Sequence, residues 1–500
     1  MLKTVCILFL FVAVLGCVDN SENESKQQPN ILFIYLDDMG YGDPQCYNAE
    51  SQIPTPNIDK LAKEGMMFTD MHSAAPVCGP SRYGLLTGRY PWRRGKGGCG
   101  NGAKFRDVFI ENGRLTIASM LKEKGYNTAQ IGKWGLRHNY SDAVKPGMEP
   151  GTKEAYDFPN KPLLGAQLFG FDYSWTLTYL YPEPGIDTML GIDPVSDAKI
   201  VFENSLPEDT SLQLMDPYEW FPVSAKKVME YLENFAGEKE YPKFGLDGNK
   251  PFFIYWDPIG PHTPYVVKEE FRDKSKAGQY GDYVFEIDHY IGLILKQLDD
   301  LNLADNTLVI FSSDNGPDKH SYPRIKEYNH YGMGKWRGLK TDSWEGGNRV
   351  PFIARWPGNI AANSVNNSQV CLTDMMATFS EILGEKLPDN AGEDSFSFLS
   401  LLKSESGEIR RQPIIYNNTR SKLAIRGNEW VLIDAPTGGV AKEPEWFKEE
   451  RGVIEHSEQV ELFNLSDDPQ QLKNLAREYP EKVKELKTKL IDMIQKGRSR

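Results

Sequence analysis

The residues best equipped for chemistry fall in a few short clusters. One is Cys78-Gly79-Pro80-Ser81-Arg82, which runs on into Tyr83-Gly84-Leu85-Leu86-Thr87-Gly88-Arg89. A lone cysteine is most often a buried thiol. Pro80 suits the first turn of a helix, because it has no amide hydrogen to leave unpaired. A helix beginning there aims backbone amides and the positive end of its dipole at an anion. A second cluster is Asp37-Asp38, and a third is Asp314-Asn315-Gly316. Adjacent carboxylates repel unless a cation neutralises them. Three carboxylates and an amide oxygen are hard donors that suit Ca²⁺ or Mg²⁺ better than zinc. Lys133 and His262, the latter between Pro261 and Thr263-Pro264, add single cationic or titratable groups. Histidine is the side chain best matched to proton transfer near neutral pH, and two prolines stiffen its loop.

These stretches resemble the signature motifs of type I, formylglycine-dependent sulfatases in the alkaline-phosphatase-like superfamily. Matching motifs run from residue 30 to about residue 475. The resemblance implies that Cys78, in Cys-x-Pro-x-Arg, is oxidised to formylglycine by a formylglycine-generating or equivalent maturation enzyme. The aldehyde hydrate then carries two hydroxyls, one to attack a sulfate ester and one to expel the sulfate. It implies a Ca²⁺ ion, with Mg²⁺ as second choice, held by Asp37, Asp38, Asp314, Asn315 and the oxygens of modified residue 78. Arg82 would hold the hydrate. Lys133 in Gly132-Lys133-Trp134 and Lys340 in Arg337-Gly338-Leu339-Lys340 would contact sulfate, and His262 would protonate the leaving alcohol. Glu345 and Arg349, in Glu345-Gly346-Gly347-Asn348-Arg349-Val350-Pro351, are expected to be structural. The family's Gly-Lys-Trp-His-Leu-Gly is broken here: its histidine falls at Gly135 and its last glycine at Arg137. That histidine commonly serves the release of sulfate, so the second base is open, with His138 a candidate.

The expected activity is that of a sulfuric ester hydrolase acting on a sulfated carbohydrate. Residues 111–124 and 169–181 loosely resemble enzymes for galactose-type or N-acetylgalactosamine 6-sulfates. Two alternatives stand beside this: a phosphate or phosphonate ester hydrolase of the same superfamily, and a glycan-binding lipoprotein weakened in catalysis. Lys335, Trp336, His320 and His330 precede the Lys340 motif and are candidates for sugar contact or plain surface.

Four apolar runs must position these groups: residues 31–36, 128–131, 252–256 and 308–311, each ending at a polar cluster. Runs of this kind fit parallel strands buried on both faces. Helical patterns lie between them, at 57–64, 115–124, 224–235 and 282–301. Alternation of strand and helix predicts an α/β sandwich with a mostly parallel sheet, whose ligands sit beyond the carboxyl ends of the strands. Residues 140–209, rich in Pro, Gly and acids, read as long loops. After about residue 410 the texture changes to short antiparallel strands at 414–416, 421–426 and 429–433 and a closing amphipathic helix at 479–496. The expected organisation is a leader at 1–17, a polar linker at 18–29, a catalytic domain at 30–410 and a C-terminal subdomain at 411–500.

Five hundred residues with 57 basic and 70 acidic side chains carry a net charge of -13, which argues against a nucleic-acid partner. From Met71 to Arg106 there is no Asp or Glu, while Arg82, Arg89, Arg93, Arg94, Lys96, Lys104 and Arg106 are basic. The run predicts either a local positive field for an anionic substrate or a solvated loop. Lys3 and the apolar stretch 5–15 read as an export leader. Val14-Leu15-Gly16-Cys17 resembles a bacterial lipobox, which makes Cys17 a lipidation site and the lipid the only membrane link; a plain secretory signal is the alternative. Cys46, Cys99 and Cys371 remain, an odd number without metal spacing, so no disulfide framework is expected.

Overall fold

The computed structural model describes residues 28–95, 109–138, 144–148, 157, 161, 164–179, 199–204, 206–207, 215–404 and 411–500. The leader, Cys17, Cys99, Lys96, Lys104, Arg106 and most of 140–209 lie outside them. The strands in chain order are β1 (Asn30–Leu36), β2 (Met66–Phe68), β3 (Met71–His72), β4 (Asn127–Gly132), β5 (Tyr173–Tyr179), β6 (Lys199–Glu203), β7 (Leu206–Pro207) and β8 (Phe252–Asp257). They continue with β9 (Thr307–Ser313), β10 (Phe352–Arg355), β11 (Ser364–Asn366), β12 (Val370–Cys371), β13 (Ile414–Asn417), β14 (Leu423–Gly427), β15 (Trp430–Ile433) and β16 (Glu461–Asn464).

Ten strands form one sheet in the order β11-β2-β10-β9-β1-β8-β4-β5-β6-β7. Its centre, β9-β1-β8-β4-β5, is parallel throughout. The four apolar runs are four adjacent strands of that centre. Their continuous hydrophobicity has a direct cause: Ile31, Phe33 and Tyr35 of β1 face one core, while Leu32, Ile34 and Leu36 face the other. Helices α1 (Pro56–Glu64), α2 (Cys78–Thr87), α3 (Ile117–Glu123), α4 (Trp220–Phe235) and α5 (Gly278–Asp300) cover the two faces. Residues of α2 and α3 join the first core and those of α1, α4 and α5 the second. Each fully buried aliphatic or aromatic side chain contributes about 1.5–3 kcal/mol, so the sheet edge that carries the site rests on a rigid base.

The expectation of loops across 140–209 is corrected in part. Tyr173–Tyr179 is a strand, parallel to β4, and β6 and β7 extend the sheet antiparallel from it. Alternating aromatic and β-branched residues make β5 a good strand, and the surrounding Pro and Gly obscured that pattern. The C-terminal strands form a four-stranded antiparallel sheet, β13-β14-β15-β16. Its core shares Ala74, Tyr90, Trp344 and Cys371 with the preceding region, and the helix Pro480–Gln495 packs on it through Leu486, Leu490 and Met493. Cys46 and Cys371 are free thiols.

Candidate active site

Parallel strands end on the same edge of a sheet, and here that edge collects the polar clusters. Leu36 of β1 lies beside Ser313 of β9, so Asp37 and Asp38 meet Asp314 and Asn315. The Asp38 amide donates to Asp314 Oδ1 at 3.1 Å, and the Asp314 amide to Leu36 O at 3.1 Å. Gly132 of β4 lies beside Asp257, the last residue of β8, which brings Lys133 to the same edge. His262 follows on the loop after β8.

Cys78 is the first residue of α2, after an extended Val77. It is 7% exposed, and its thiol donates to Asp37 Oδ1 at 3.2 Å, with Asp38 Oδ1 at 3.9 Å. Burial pushes this thiol well above the ordinary range, and the charges of Asp314 and Asp37 push it further. Cysteine attacks as its thiolate, so the unmodified side chain is held in its unreactive form.

One helical turn on, Arg82 presents its guanidinium to the same cluster. It is fully buried. Nη1 donates to Lys133 O at 2.8 Å and to Asp257 Oδ2 at 3.1 Å; Nη2 donates to Asp314 Oδ2 at 3.2 Å and lies 3.7 Å from Asp37 Oδ2. Asp257 is fixed in turn by Gln130 Nε2 at 2.8 Å, and Gln130 Oε1 accepts from Thr176 Oγ1 at 2.7 Å. Asp257, which ends its apolar run, and Gln130 are site-building residues to which the sequence reading gave no role. The available signal was an aspartate directly after a buried run, the pattern that singled out Asp37.

Lys133 Nζ pairs with Asp37, and Lys340 Nζ lies 2.7 Å from Asp38 Oδ1. His262 Nδ1 is 2.7 Å from Thr263 O. A carbonyl only accepts, so Nδ1 carries a proton and Nε2 is the nitrogen left for chemistry; it lies 3.6 Å from Asp38 Oδ2. Burial, with Lys340 next, holds the imidazole down at about 4. An anion bound at the site acts in the opposite direction.

The donor set fits a hard divalent cation. Asp314 is pushed up to about 7 by burial and by Asp37, while Lys133 leads His262 and Arg82 in outweighing the burial cost at Asp37, which is pulled well below the carboxylate range. Asn315 donates through Nδ2 to Asp38 Oδ1 at 2.7 Å and Gly316 O at 2.9 Å, yet its own Oδ1 is buried without a partner. A buried acceptor without a donor is costly and calls for a ligand. Asp37, Asp38, Cys78 and His262 present ligand atoms within 4.8 Å of one another. Asp37, Asp38, Asp314 and Asn315 could together hold a hard divalent cation.

Other candidates lie elsewhere. His138 is buried and packs against Gly165, and burial pushes it down to about 4. Among the described residues it is not one of the groups that tie the cluster together. Gly135 has φ +67°, and a Cβ there would come within 2.8 Å of Arg82 Cδ. The main chain closes over Arg82 at the position where the motif's histidine is missing. His330 is fully buried against Asp43 Oδ1 at 2.8 Å, which makes it structural, and His320 pairs with Asp318 at 2.9 Å. Glu345 and Arg349 pair with each other at 2.7 Å, as expected of structural residues. The basic run contributes less free charge than its composition suggests. Arg82 is inside the site, Arg89 pairs with Glu111 and Glu393, and Arg93 with Asp394.

Comparison with known proteins matches these features to one family. A family model described as sulfatase matches residues 29–385. An N-acetylgalactosamine-6-O-sulfatase of Bacteroides thetaiotaomicron is 32% identical over 96% of both chains. The human N-acetylgalactosamine-6-sulfatase is 32% identical over 78% of this chain and 69% of its own length. The solved structure of a Bacteroides thetaiotaomicron sulfatase, described with the metabolism of multiple glycosaminoglycans, superposes with a TM-score of 0.75 at 28% identity, covering 94% of this chain and all of that one. The large sheet with its separate four-stranded sheet is the sulfatase fold of the alkaline-phosphatase-like superfamily, and this chain belongs to the sulfatase family as a sulfuric ester hydrolase.

Proposed function

We propose that this protein removes 6-O-sulfate from N-acetylgalactosamine or galactose-type units of a sulfated glycan, through formylglycine made from Cys78 and a calcium ion. One observation carries the reading: Cys78 heads α2, held inert as a thiol, within reach of three carboxylates, two lysines, an arginine and a histidine. The similarity to N-acetylgalactosamine-6-sulfatases along nearly the whole chain supports the sugar and the position. Formylglycine hydrate supplies a nucleophilic hydroxyl and a second one for release, and Ca²⁺ bound by Asp37, Asp38, Asp314 and Asn315 supplies positive charge for sulfate oxygens.

The chain's own residues do the rest. Lys133 and Lys340 present ammonium groups on opposite carboxylates of the Asp37-Asp38 pair, and so flank the place where a sulfate binds. Arg82 holds the Asp37, Asp257 and Asp314 carboxylates in a fixed frame. Groups preorganised in this way stabilise charge without rearranging during the reaction. His262 is fixed through Nδ1; a bound sulfate anion favours its charged form, so that Nε2 takes up a proton and then donates it to the departing alcohol oxygen. With no side chain at residue 135, the same Nε2, basic after that transfer, serves as acceptor for the proton lost on release. His138 is the other candidate for this second role. Export and lipid anchoring through Cys17, and a maturation enzyme for Cys78, belong to the same proposal.

Sulfate release from defined oligosaccharides, measured by ion chromatography, tests it. The expected result is release from N-acetylgalactosamine or galactose 6-sulfate and at least tenfold slower release from the 4-sulfates. Equal rates, or preference for 4-O- or 2-O-sulfate, would overturn the assignment of position.

A further inference from the structure

A cleft of about 760 Å³ lies where the large sheet meets the four-stranded sheet. This is the size of a small-ligand site. Tyr41 and Trp336 line it from one side and Asn428 and Leu465 from the other, and none of Cys78, Lys133, His262 or Lys340 does. Trp336 is 8% exposed, and its indole Nε1–H has no acceptor. Buried tryptophan N–H groups usually find a partner, so this enclosed donor beside the cleft stands out. The ring already meets two cations: the guanidinium of Arg349 lies 3.8 Å and the ammonium of Lys335 4.8 Å from the ring centre.

Charge narrows the ligand. Arg349 and Arg426 also line the cleft, but Asp70 and Glu345 neutralise both at 2.7 to 3.1 Å. The exposed rim adds one cation, Lys335, and one anion, Glu429, together with the amides of Asn367 and Asn428. A wall that is polar, balanced in charge and rich in amides suits an uncharged ligand with many hydroxyls.

We propose that this cleft is a second saccharide site, which holds sulfate-free units of the glycan whose sulfated units are processed at Cys78. The proposal rests on the reading of a glycan substrate. Trp336 precedes Lys340 by four residues, a span of at most about 14 Å. A chain held in the cleft is therefore tethered beside the catalytic edge, which raises its effective concentration there.

The test uses the full chain. Neutral hexasaccharides from chemically desulfated keratan sulfate and desulfated carrageenan are titrated into the Cys78→Ala protein by calorimetry, beside their sulfated parents. At least one neutral hexasaccharide should bind, and Trp336→Phe, which removes the N–H together with part of the ring, should weaken it at least fivefold. The rim pair Asn367→Ala and Asn428→Ala, which touches no core, should do the same. In the protein with Cys78 intact, these changes should raise KM for the polymer and leave kcat on a monosaccharide 6-sulfate unchanged. Failure of both neutral hexasaccharides to bind, or binding indifferent to both sets of changes, overturns the cleft. Release of sulfate from the monosaccharide in that case leaves the proposed function standing, whereas binding without any release counts against the function alone.

Discussion

Among the described residues, two buried clusters bring ligand-type atoms together, and they have opposite characters. In the first, Asp37, Asp38 and Asp314 face Arg82, Lys133 and Lys340, yet Asp314 is pushed up to about 7 and Asn315 Oδ1 has no donor. In the second, Asp70, His72 and Glu345 also bring ligand-type atoms within 4.8 Å of one another. There, Arg349 and Arg426 bond both acids, the imidazole of His72 lies 2.7 Å from Asp70 Oδ1, and the pKa values of both acids fall below normal. The two acids of the second cluster are matched by arginines, although His72 Nδ1 is buried without a partner, and the cluster fastens β2–β3, Glu345 and β14 together. The first leaves Asp314 pushed up and Asn315 Oδ1 without a donor, at the place where the proposal puts the cation. Proximity of acids does not distinguish a metal site from a structural one; how fully the carboxylates are matched does, and Asp314 is pushed up where Asp70 and Glu345 are pulled down.

Substitutions can break that contrast. Asp314→Asn should reduce sulfate release about a hundred- to a thousandfold, the scale of losing a preorganised group in catalysis, while leaving the metal-free urea midpoint equal or higher. Glu345→Ala should do the reverse in origin, destabilising the fold by about 3–5 kcal/mol with or without calcium, because it strands buried arginines. Urea denaturation with and without EDTA reads both. Calcium at a hundred times its Kd should add about 2.7 kcal/mol to wild-type stability, and nothing to Asp314→Asn. Equal calcium responses from the two proteins would remove Asp314 from the ligand set.

Acid sharpens the contrast from the other side. Arg349 and Arg426 hold Asp70 well below the usual carboxylate range. The unfolded chain therefore binds more protons between the folded value and about 3.9, and stability rises with pH there. The contribution is complete above about pH 4 and is lost as pH falls toward the folded value. Asp70→Asn should flatten this part of a melting-temperature profile from pH 5 to 2. The smallest effect expected is that of Gly135→Ala, about 1–2 kcal/mol for a left-handed backbone and a Cβ against Arg82, seen as a lower urea midpoint.

Much of this was legible in the sequence, for identifiable reasons. Residues 31–36, 128–131, 252–256 and 308–311 are buried on both faces, so composition alone marked them as strands. The polar residues that end them converge because parallel neighbours finish together. Cys78, Arg82, Lys133, His262 and Lys340 were found by motif, and the fold brings all five to one edge. The hidden parts depend on distant partners. Asp257 is defined by Arg82, 175 residues away in sequence. Arg89 and Arg93 looked free because Glu393 and Asp394 come from far down the chain. Gly135 read only as a missing histidine, and its positive φ beside Arg82 is a property of the folded backbone.

The central claim is that residue 78 becomes the group that takes sulfate from an ester. The most direct measurement pairs the mass of the peptide containing residue 78 with sulfate released by the same calcium-loaded preparation from an N-acetylgalactosamine 6-sulfate oligosaccharide. The account predicts an aldehyde or its hydrate in place of the thiol, sulfate release in proportion to that fraction, and none from Cys78→Ala. Release by protein that carries only the thiol, or none from protein fully converted to the aldehyde across a panel of sulfated saccharides, would contradict it.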